Sequence, residues 1–175
     1  MDLFSLQRQL GGLSDYPLEQ WQPPFCGQVP IRIDRDGSWY FQDSPIQRVE
    51  LVRLFAAVLS RVDGRYLLTT PAEQVQIAVD DAPFVLVAAE WLADGGLQLT
   101  SNLQQQFVVS HDYPVLLQAE PGSGQLLPYL QLRRGLCAKF SRTLYYQLAE
   151  QTREQHIEGV CHYVLQSGDY QFRFG

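Results

Sequence analysis

The sequence has few of the features that tie a chain to a membrane, to disulfide bonds or to nucleic acid. No purely apolar run, such as that from Phe84 to Ala89, is longer than six residues, whereas a membrane helix needs about 20. The three cysteines form an odd set without a Cys-x-x-Cys pair, which argues against a disulfide framework. A formal net charge of −6 repels a phosphate backbone. We therefore expect neither a membrane nor a nucleic acid among the partners.

The start of the sequence also lacks the pattern of a secretory signal. Asp2 is acidic and no apolar stretch follows it, whereas a signal peptide has a basic start and an apolar core. Together with the odd number of cysteines, this predicts a cytoplasmic protein.

Lysine is nearly absent, and arginine takes its place. Lys139 is the only lysine among 13 basic residues, and guanidinium groups suit bidentate contacts with carboxylates and phosphates. A chain of 175 residues that is 46% hydrophobic can bury a core without disulfides or a metal. This length and composition predict one compact domain or two small halves that share a core.

The first 25 residues predict a helix and a tether. Leu3, Phe4, Leu6 and Leu10 have near-helical spacing, and Asp2 is a plausible N-cap for them. Glycines 11 and 12 would end this helix.

A hairpin and a helix are expected next. Asp36-Gly37 follows an alternating strand and predicts a type I′ hairpin turn. Ser44 is placed to cap a helix, with Pro45 in its first position and Gln47 closing a capping box. The apolar stripe of this helix continues to Asp63-Gly64.

A series of strands completes the first module, which spans residues 26–119. The run 84–91 is apolar on both faces and predicts a central strand. The other strands are expected at 65–70, 75–79, 97–101, 107–109 and 115–119. The loop 120–124 is the expected boundary to a second module at 125–175.

The second module repeats the first in outline. Residues 129–140 predict a hairpin around Arg134-Gly135, and Ser141 is placed to cap a helix that runs to about Gln155. Two further strands are expected at 160–165 and 170–174. The pattern favours the α+β class, with two related modules, each a β-hairpin followed by a helix and further antiparallel strands.

Several short motifs follow one another in a fixed order along the chain. They are Cys26-Gly27, Ile31-Arg32-Ile33, Asp36-Gly37-Ser38-Trp39, Ser44-Pro45-Ile46, Leu51-Val52-Arg53-Leu54-Phe55, Thr70-Pro71-Ala72-Glu73, Val79-Asp80-Asp81-Ala82-Pro83-Phe84, Thr100-Ser101-Asn102 and Arg134-Gly135-Leu136-Cys137-Ala138. In these motifs and their order the chain resembles the bacterial family known as domain of unknown function 1285. Ala72 and Asp80 depart mildly from the Val and Glu of the family pattern. The resemblance implies an α+β protein of two related modules and a regulatory or signalling role, but no established reaction.

Polar and aromatic residues in these motifs, or between them in the case of Arg48, are the candidate ligand-binding residues. They are Arg32, Asp36, Trp39, Arg48, Arg53, Glu73, Asp81 and Asn102. Asp80 and Asp81 should point to opposite faces of a strand and form no acid/base dyad. Asp81 either pairs with an arginine such as Arg48 or Arg53, or caps backbone N–H groups in a turn. Surface charge and structural pairing are the alternative explanation for the arginines.

Metal binding and nucleophilic catalysis find little support. The residues that cluster near the end of the chain do not match a zinc spacing; they are Glu154, His156, Glu158, Cys161 and His162. Gly122-Ser123-Gly124 lacks the nucleophile-elbow pattern. We therefore predict no catalytic residue, no metal and no cofactor.

Three hypotheses for function follow. The first is a non-catalytic regulatory or signalling module that binds a small anionic molecule or a protein between its two related halves. The alternative is a small-molecule enzyme that uses Asp81, Glu73 or Asp36 as a general base. The third is an oligomerising protein, so a homo-oligomer is among the expected partners.

Overall fold

The computed structural model describes residues 7–8 and 16–175, which divide into two units between Asp80 and Asp81. Within these residues there are fifteen strands in three sheets and two α-helices. Apart from Gln7 and Arg8, which are helical, the helix expected over residues 2–10 and its N-cap Asp2 lie outside the described residues.

The first unit is one six-stranded sheet crossed by a helix. Its strands have the order β3-β2-β1-β6-β5-β4, in which β1 and β6 are parallel and the other neighbours antiparallel. The elements are β1 (Phe25–Ile33), β2 (Trp39–Phe41), β3 (Ser44–Pro45), α1 (Val49–Ala57), β4 (Leu59–Val62), β5 (Arg65–Thr69) and β6 (Gln74–Val79). Because β3 and β4 are the two edge strands, α1 connects one edge of the sheet to the other and buries Leu51, Val52, Phe55 and Ala56.

The hairpin expected at Asp36-Gly37 is present, but its turn differs from type I′. The Asp34 N–H donates to the Ser38 carbonyl at 3.0 Å, and the Gly37 N–H donates back to the Asp34 carbonyl at 3.1 Å. Of the two turn residues, Gly37 has a positive φ, +81°, and Asp36 does not. This is the three-residue turn that ends on a left-handed residue, and Asp34 Oδ1 stabilises it by accepting from two backbone N–H groups.

The helix predicted from Ser44 to Asp63-Gly64 is wrong at both ends. Ser44 and Pro45 form strand β3, and the Ile46 N–H donates to the Trp39 carbonyl at 2.8 Å. Asp63 and Gly64 have φ values of +51° and +78°, which make a type I′ turn between β4 and β5. Residues 59–62, whose apolar spacing suits a helix, are therefore drawn into the sheet.

The second unit holds a six-stranded sheet and a separate three-stranded sheet. The strand orders are β10-β11-β12-β7-β8-β9 and β13-β14-β15. The elements are β7 (Phe84–Trp91), β8 (Leu97–Ser101), β9 (Gln106–Val108), β10 (Val115–Ala119), β11 (Leu126–Gln131), β12 (Cys137–Phe140), α2 (Arg142–Ala149), β13 (Arg153–Ile157), β14 (Val160–Ser167) and β15 (Tyr170–Arg173).

Strand β7 is central, as predicted, and lies parallel to β12 and antiparallel to β8. Its first residues, Phe84 to Leu86, are buried, whereas Val87 and Trp91 are 46% and 42% exposed. The second half of this strand is therefore partly exposed although most of its residues are apolar. The loop 120–124, expected to separate the modules, joins the paired strands β10 and β11.

The predicted α+β class is wrong, because strands dominate and the two described α-helices span only nine and eight residues. The two helices predicted after Ser44 and Ser141 are shorter in the structure. Glu158 and Gly159 have positive φ values like Asp63 and Gly64, and they connect strands β13 and β14. Residues 153–157 are therefore a strand and not the end of a helix. The two-unit organisation agrees with expectation. The units differ in construction: β4–β6 continue the sheet of β1, whereas β13–β15 form a sheet of their own.

None of the described helices has both the length and the apolar character that a membrane span requires.

Two serines that the sequence marks as N-caps provide a direct test of these helix boundaries. Ser141 Oγ accepts from the Leu144 N–H at 3.3 Å, whereas Ser44 lies in a strand. We expect Ser141→Ala to lower the free energy of unfolding by about 1 kcal/mol and Ser44→Ala to change it by less than about 0.5 kcal/mol. Urea unfolding followed by circular dichroism measures both. Equal losses for the two variants would contradict the assignment.

Candidate functional site

A buried carboxylate lies at the start of the second unit. The Asp81 side chain is 1% exposed. Its Oδ1 accepts a hydrogen bond from the Tyr129 hydroxyl at 2.8 Å, and its Oδ2 accepts from Lys139 Nζ at 3.0 Å. The only lysine in the sequence thus forms an ion pair with a carboxylate that is almost fully buried.

Strand pairing brings these three residues together. Tyr129 on β11 and Lys139 on β12 are directly opposite in the antiparallel register, so their side chains emerge on the same face of the sheet. Lys139 is also opposite Val85 of β7, and Asp81 lies just before that strand. The cluster therefore depends on a central strand and its neighbours rather than on a flexible loop.

The partners of Asp81 compensate for its burial. A carboxylate removed from water is costly unless it is paired and hydrogen-bonded, and here both oxygens are engaged. Burial, followed by the hydrogen bond to Asp81, raises the pKa of the Tyr129 phenol well above its ordinary value. Tyr129 therefore stays a donor to Asp81 at neutral pH.

A cavity of about 390 Å³ opens above this cluster. Its lining is mainly aromatic and basic, and consists of Glu120, Gln125, Leu127, Pro128, Tyr129, Lys139, Phe140, Arg142, Tyr145 and Tyr146. Arg142 begins α2, and its guanidinium carbon lies 5.9 Å from the centre of the Tyr146 ring. Tyr145 stacks on Phe174 with ring centres 5.2 Å apart, which holds one aromatic wall in place.

The arrangement is suited to a planar anion. Lys139 Nζ has three N–H donors, of which one points to Asp81, and its side chain is 20% exposed. Arg142 adds a guanidinium fork at the rim, and the tyrosines provide flat surfaces that accept a ring and a cation. The residues present can bind and orient a ligand.

In the first unit, the structure brings Arg32 beside Asp80. Arg32 Nη1 donates to Asp80 Oδ2 at 2.8 Å, and the guanidinium carbon lies 4.9 Å from the centre of the Tyr40 ring. The side chains are 43% and 35% exposed, which makes this a surface ion pair of small energetic weight. A hydrogen bond with Asp34 raises the pKa of Tyr40. Asp80 and Asp81 lie between β6 and β7 rather than in a strand, and they have separate partners.

Asp36 and Trp39 lie in the same hairpin but in different surroundings. Asp36 is exposed in the turn, whereas Trp39 is 3% exposed and packs on Phe55 with ring centres 6.2 Å apart. The Trp39 indole N–H has no hydrogen-bond partner among the described residues.

Other predicted residues lie away from that hairpin turn. Arg48 and Arg53 are exposed at the start and middle of α1. Glu73 precedes β6, and its backbone carbonyl accepts from the Thr70 N–H at 2.9 Å. Because β1 and β6 are parallel, Glu73 and Asp36 are at opposite ends of this strand pair. Two of the three acids proposed as a general base are thus not brought together.

Asn102 ties the end of β8 to the start of β7. Its side-chain Oδ1 accepts from the Val85 N–H at 3.1 Å, and its own N–H donates to the Val85 carbonyl at 2.7 Å. This pair of bonds holds the strand that follows Asp81 in its register. A role of the Asn102 side chain in ligand binding stays a prediction.

The sequence identified Asp81 but not its partners. Asp81 was expected beside Arg48 or Arg53, or in a turn where it caps N–H groups; it pairs instead with Lys139. The available signal was the single lysine in a strand whose hairpin partner was already predicted. Pairing residues 129–131 with 137–139 would have placed Tyr129 opposite Lys139.

The acidic and histidine-rich segment near the end of the chain is a hairpin. His156 is opposite Cys161, and Gln155 is opposite His162. Within residues 7–8 and 16–175, no three His, Cys, Asp or Glu side chains are arranged to hold a metal ion.

Comparison with known families agrees with the division into two units. Residues 16–82 match the N-terminal domain of a domain of unknown function, DUF1285, and residues 83–174 match the C-terminal domain of the same family. The chain belongs to the DUF1285 family. The resemblance stated from the sequence motifs is thereby confirmed, and Asp81 falls at the junction of the two family domains.

Two solved DUF1285 structures are similar to this chain. One, from Silicibacter pomeroyi DSS-3, is 34% identical with a TM-score of 0.86, over 99% of this chain and 94% of that one. Another, from Shewanella baltica OS155, is 26% identical with a TM-score of 0.57, over 71% of this chain and 94% of that one. No curated protein matches the chain.

Removing the ammonium group of Lys139 should show how much the burial of the Asp81 carboxylate costs in stability. We expect Lys139→Met to lower the free energy of unfolding by about 3 kcal/mol, because it leaves a buried charge without its ion-pair partner. The double variant Asp81→Asn, Lys139→Met should recover part of this loss. Urea unfolding measures both, and a Lys139→Met protein as stable as the unmodified chain would contradict the argument.

The raised pKa of Tyr129 predicts a loss of stability in alkali. Above a pH of about 10 the unfolded chain releases this proton, whereas the folded state retains it until its higher pKa is reached. The folded state then binds more protons, so stability falls as pH rises. We expect the stability advantage of the unmodified chain over Tyr129→Phe to be constant below pH 10 and to shrink above it. A difference that is independent of pH up to 11 would contradict this assignment.

Proposed function

We propose that this DUF1285 protein is a non-catalytic binding module that recognises a small planar anion in the cavity above Asp81. The observation that carries the proposal is the combination of Lys139 and Arg142 with three tyrosines in one cavity of about 390 Å³. A cavity of this size suits a small metabolite, and a few polar groups among aromatic walls are the usual composition of such sites.

Each group has a defined part in recognition. Asp81 holds Lys139 in one position through the 3.0 Å ion pair, so the ligand does not have to order a flexible lysine. Arg142 contacts the same anionic group from the rim, and Tyr145 and Tyr146 enclose the flat part of the ligand. Glu120 is the one acidic lining residue, so the two cations leave the lining with a net positive charge on a chain whose formal net charge is −6.

Binding without catalysis fits the position of the carboxylates. A general base must reach the proton that it removes, but both oxygens of Asp81 are engaged and its side chain is 1% exposed. A ligand held on a rigid sheet suits a regulatory or signalling protein whose output depends on occupancy. The acid/base enzyme of the alternative hypothesis has no specific observation in its favour.

A homo-oligomer stays a prediction as well. Leu116 is 49% exposed on β10, which is an edge strand of its sheet, and an exposed apolar side chain on such an edge favours association. Size-exclusion chromatography with light scattering determines the state directly.

Arg142 provides the sharpest test of the proposed site, because it is exposed at the start of a helix and its loss should not unfold the chain. We expect thermal shift with nucleoside monophosphates and aromatic carboxylates to find a stabilising ligand, since 100 times the Kd adds about 2.7 kcal/mol. Arg142→Gln should weaken this ligand by about tenfold or more.

The matched control is Arg133→Gln, which removes an exposed arginine from the β11–β12 turn outside the cavity lining. It should leave the affinity unchanged. Equal effects of the two substitutions, or no stabilisation by any anion of the panel, would refute the proposed function.

A further inference from the structure

The second unit contains another cavity, separate from the proposed anion site, whose lining is rich in amides. Its volume is about 460 Å³, and it is lined by Trp91, Gln151, Arg153, Glu154, Gln155, Val164, Leu165, Gln166 and Gln171. It shares no residue with the cavity above Asp81. Four of the nine lining residues are glutamines, and the only aromatic ring is an indole.

Three of the four glutamines, Gln155, Gln166 and Gln171, share one face of the three-stranded sheet. Gln166 on β14 is opposite Gln171 on β15, and Arg153 on β13 is opposite Val164 on β14. Residues directly opposite each other project to the same face, as do alternate residues along a strand. Gln155 therefore shares the face of Arg153, and Gln166 shares that of Val164. A sheet, rather than a loop, sets the spacing of these polar groups.

Trp91 provides the apolar wall. It ends strand β7, and its side chain is 42% exposed although the start of that strand is buried. The indole N–H donates to Gln151 Oε1 at 2.9 Å, and Gln151 Nε2 donates to the Gln147 carbonyl at 3.1 Å on α2. These two bonds fix the plane of the ring, so a flat apolar surface is presented in one orientation.

The amides retain both kinds of hydrogen-bonding atom. Gln171 Nε2 donates to Gln155 Oε1, and Gln166 Nε2 donates to the Gly168 carbonyl at 3.0 Å. Each of these glutamines thus uses one polar atom inside the protein, and the opposite atom stays for a ligand. The result is a set of donors and acceptors at short spacing.

Among the lining residues, the face that carries the glutamines holds a single charge. Arg153 and Glu154 are the only ionisable lining groups, and as neighbours on β13 they project to opposite faces of the sheet, so only Arg153 lies with the glutamines. Guanidinium and amide groups both form hydrogen bonds with neutral hydroxyls. The lining therefore favours a molecule with many groups that both donate and accept.

From these features we propose that the Trp91 cavity binds a neutral saccharide. Neighbouring hydroxyls of a sugar ring each donate and accept, which matches paired glutamine amides. The C–H groups on one side of the ring form a flat, weakly positive surface that packs on the negative face of an indole. A peptide would offer fewer polar groups per area and would be drawn to an exposed strand edge instead.

Isothermal titration with three neutral oligosaccharides, cellotetraose, maltotetraose and chitotetraose, tests this proposal. We expect at least one of them to bind with a Kd in the millimolar range or below. Trp91→Ala should weaken it by about tenfold or more, as expected for loss of a central aromatic contact. No heat from any of the three at millimolar concentration would overturn the proposal.

Control variants separate the site from the fold and from the proposed anion site. Tyr163→Ala removes an exposed aromatic side chain on β14 outside the cavity lining and should leave sugar binding unchanged. Gln171→Ala, which leaves the indole in place, should also weaken sugar binding. This variant provides the test if the Trp91→Ala protein does not fold. Arg142→Gln should not alter sugar binding. Equal affinity of the Trp91, Gln171 and Tyr163 variants would refute the assignment.

Discussion

The ion pair between Asp81 and Lys139 is the constraint on which the second unit depends. A carboxylate that is 1% exposed must be paired where it lies, because an isolated buried charge is not tolerated. The pairing requires β12 to lie beside β7 and β11 to supply the Tyr129 hydroxyl. The sheet order around the central strand and the proposed anion cavity thus share one electrostatic cause.

Two neighbouring aspartates form ion pairs in different units. Asp80 is bound by Arg32 in the first unit, and Asp81 by Lys139 and Tyr129 in the second. The Arg32 pair is solvent-exposed and weak, whereas the Asp81 pair is buried and costly to break. The same residue type, at adjacent positions, therefore has a minor role in one unit and a central role in the other.

The two proposed sites use different parts of the second unit for different chemistry. The cavity above Asp81 combines cations with tyrosines, and the Trp91 cavity combines glutamines with an indole. Both are built mainly on strands; α2 contributes Arg142, Tyr145 and Tyr146 to the first cavity, and Gln151, which follows that helix, lines the second. This separation would allow one unit to respond to an anion and to a neutral molecule independently.

Sequence reasoning located most strands, both hairpins and the cap at Ser141, because alternation and capping chemistry are local properties. It failed where one local pattern fits two structures. The stripe Val52, Phe55, Leu59 and Val62 suits a helix, yet Asp63 and Gly64 at positive φ return the chain as a hairpin. Because such a turn joins two strands, the helix before it ends earlier than predicted. The fold is therefore mainly β and not α+β.

By itself, the sequence determined the family and an organisation in two units, because motif order is written in the chain, but it placed the boundary at 120–124, whereas the units divide between Asp80 and Asp81. Only the tertiary structure decided that Asp81 pairs with Lys139, 58 positions away, and that Tyr145 and Arg142 lie by the same cavity. The reason is physical: which strands become neighbours depends on packing and burial across the whole sheet. No local pattern records that choice.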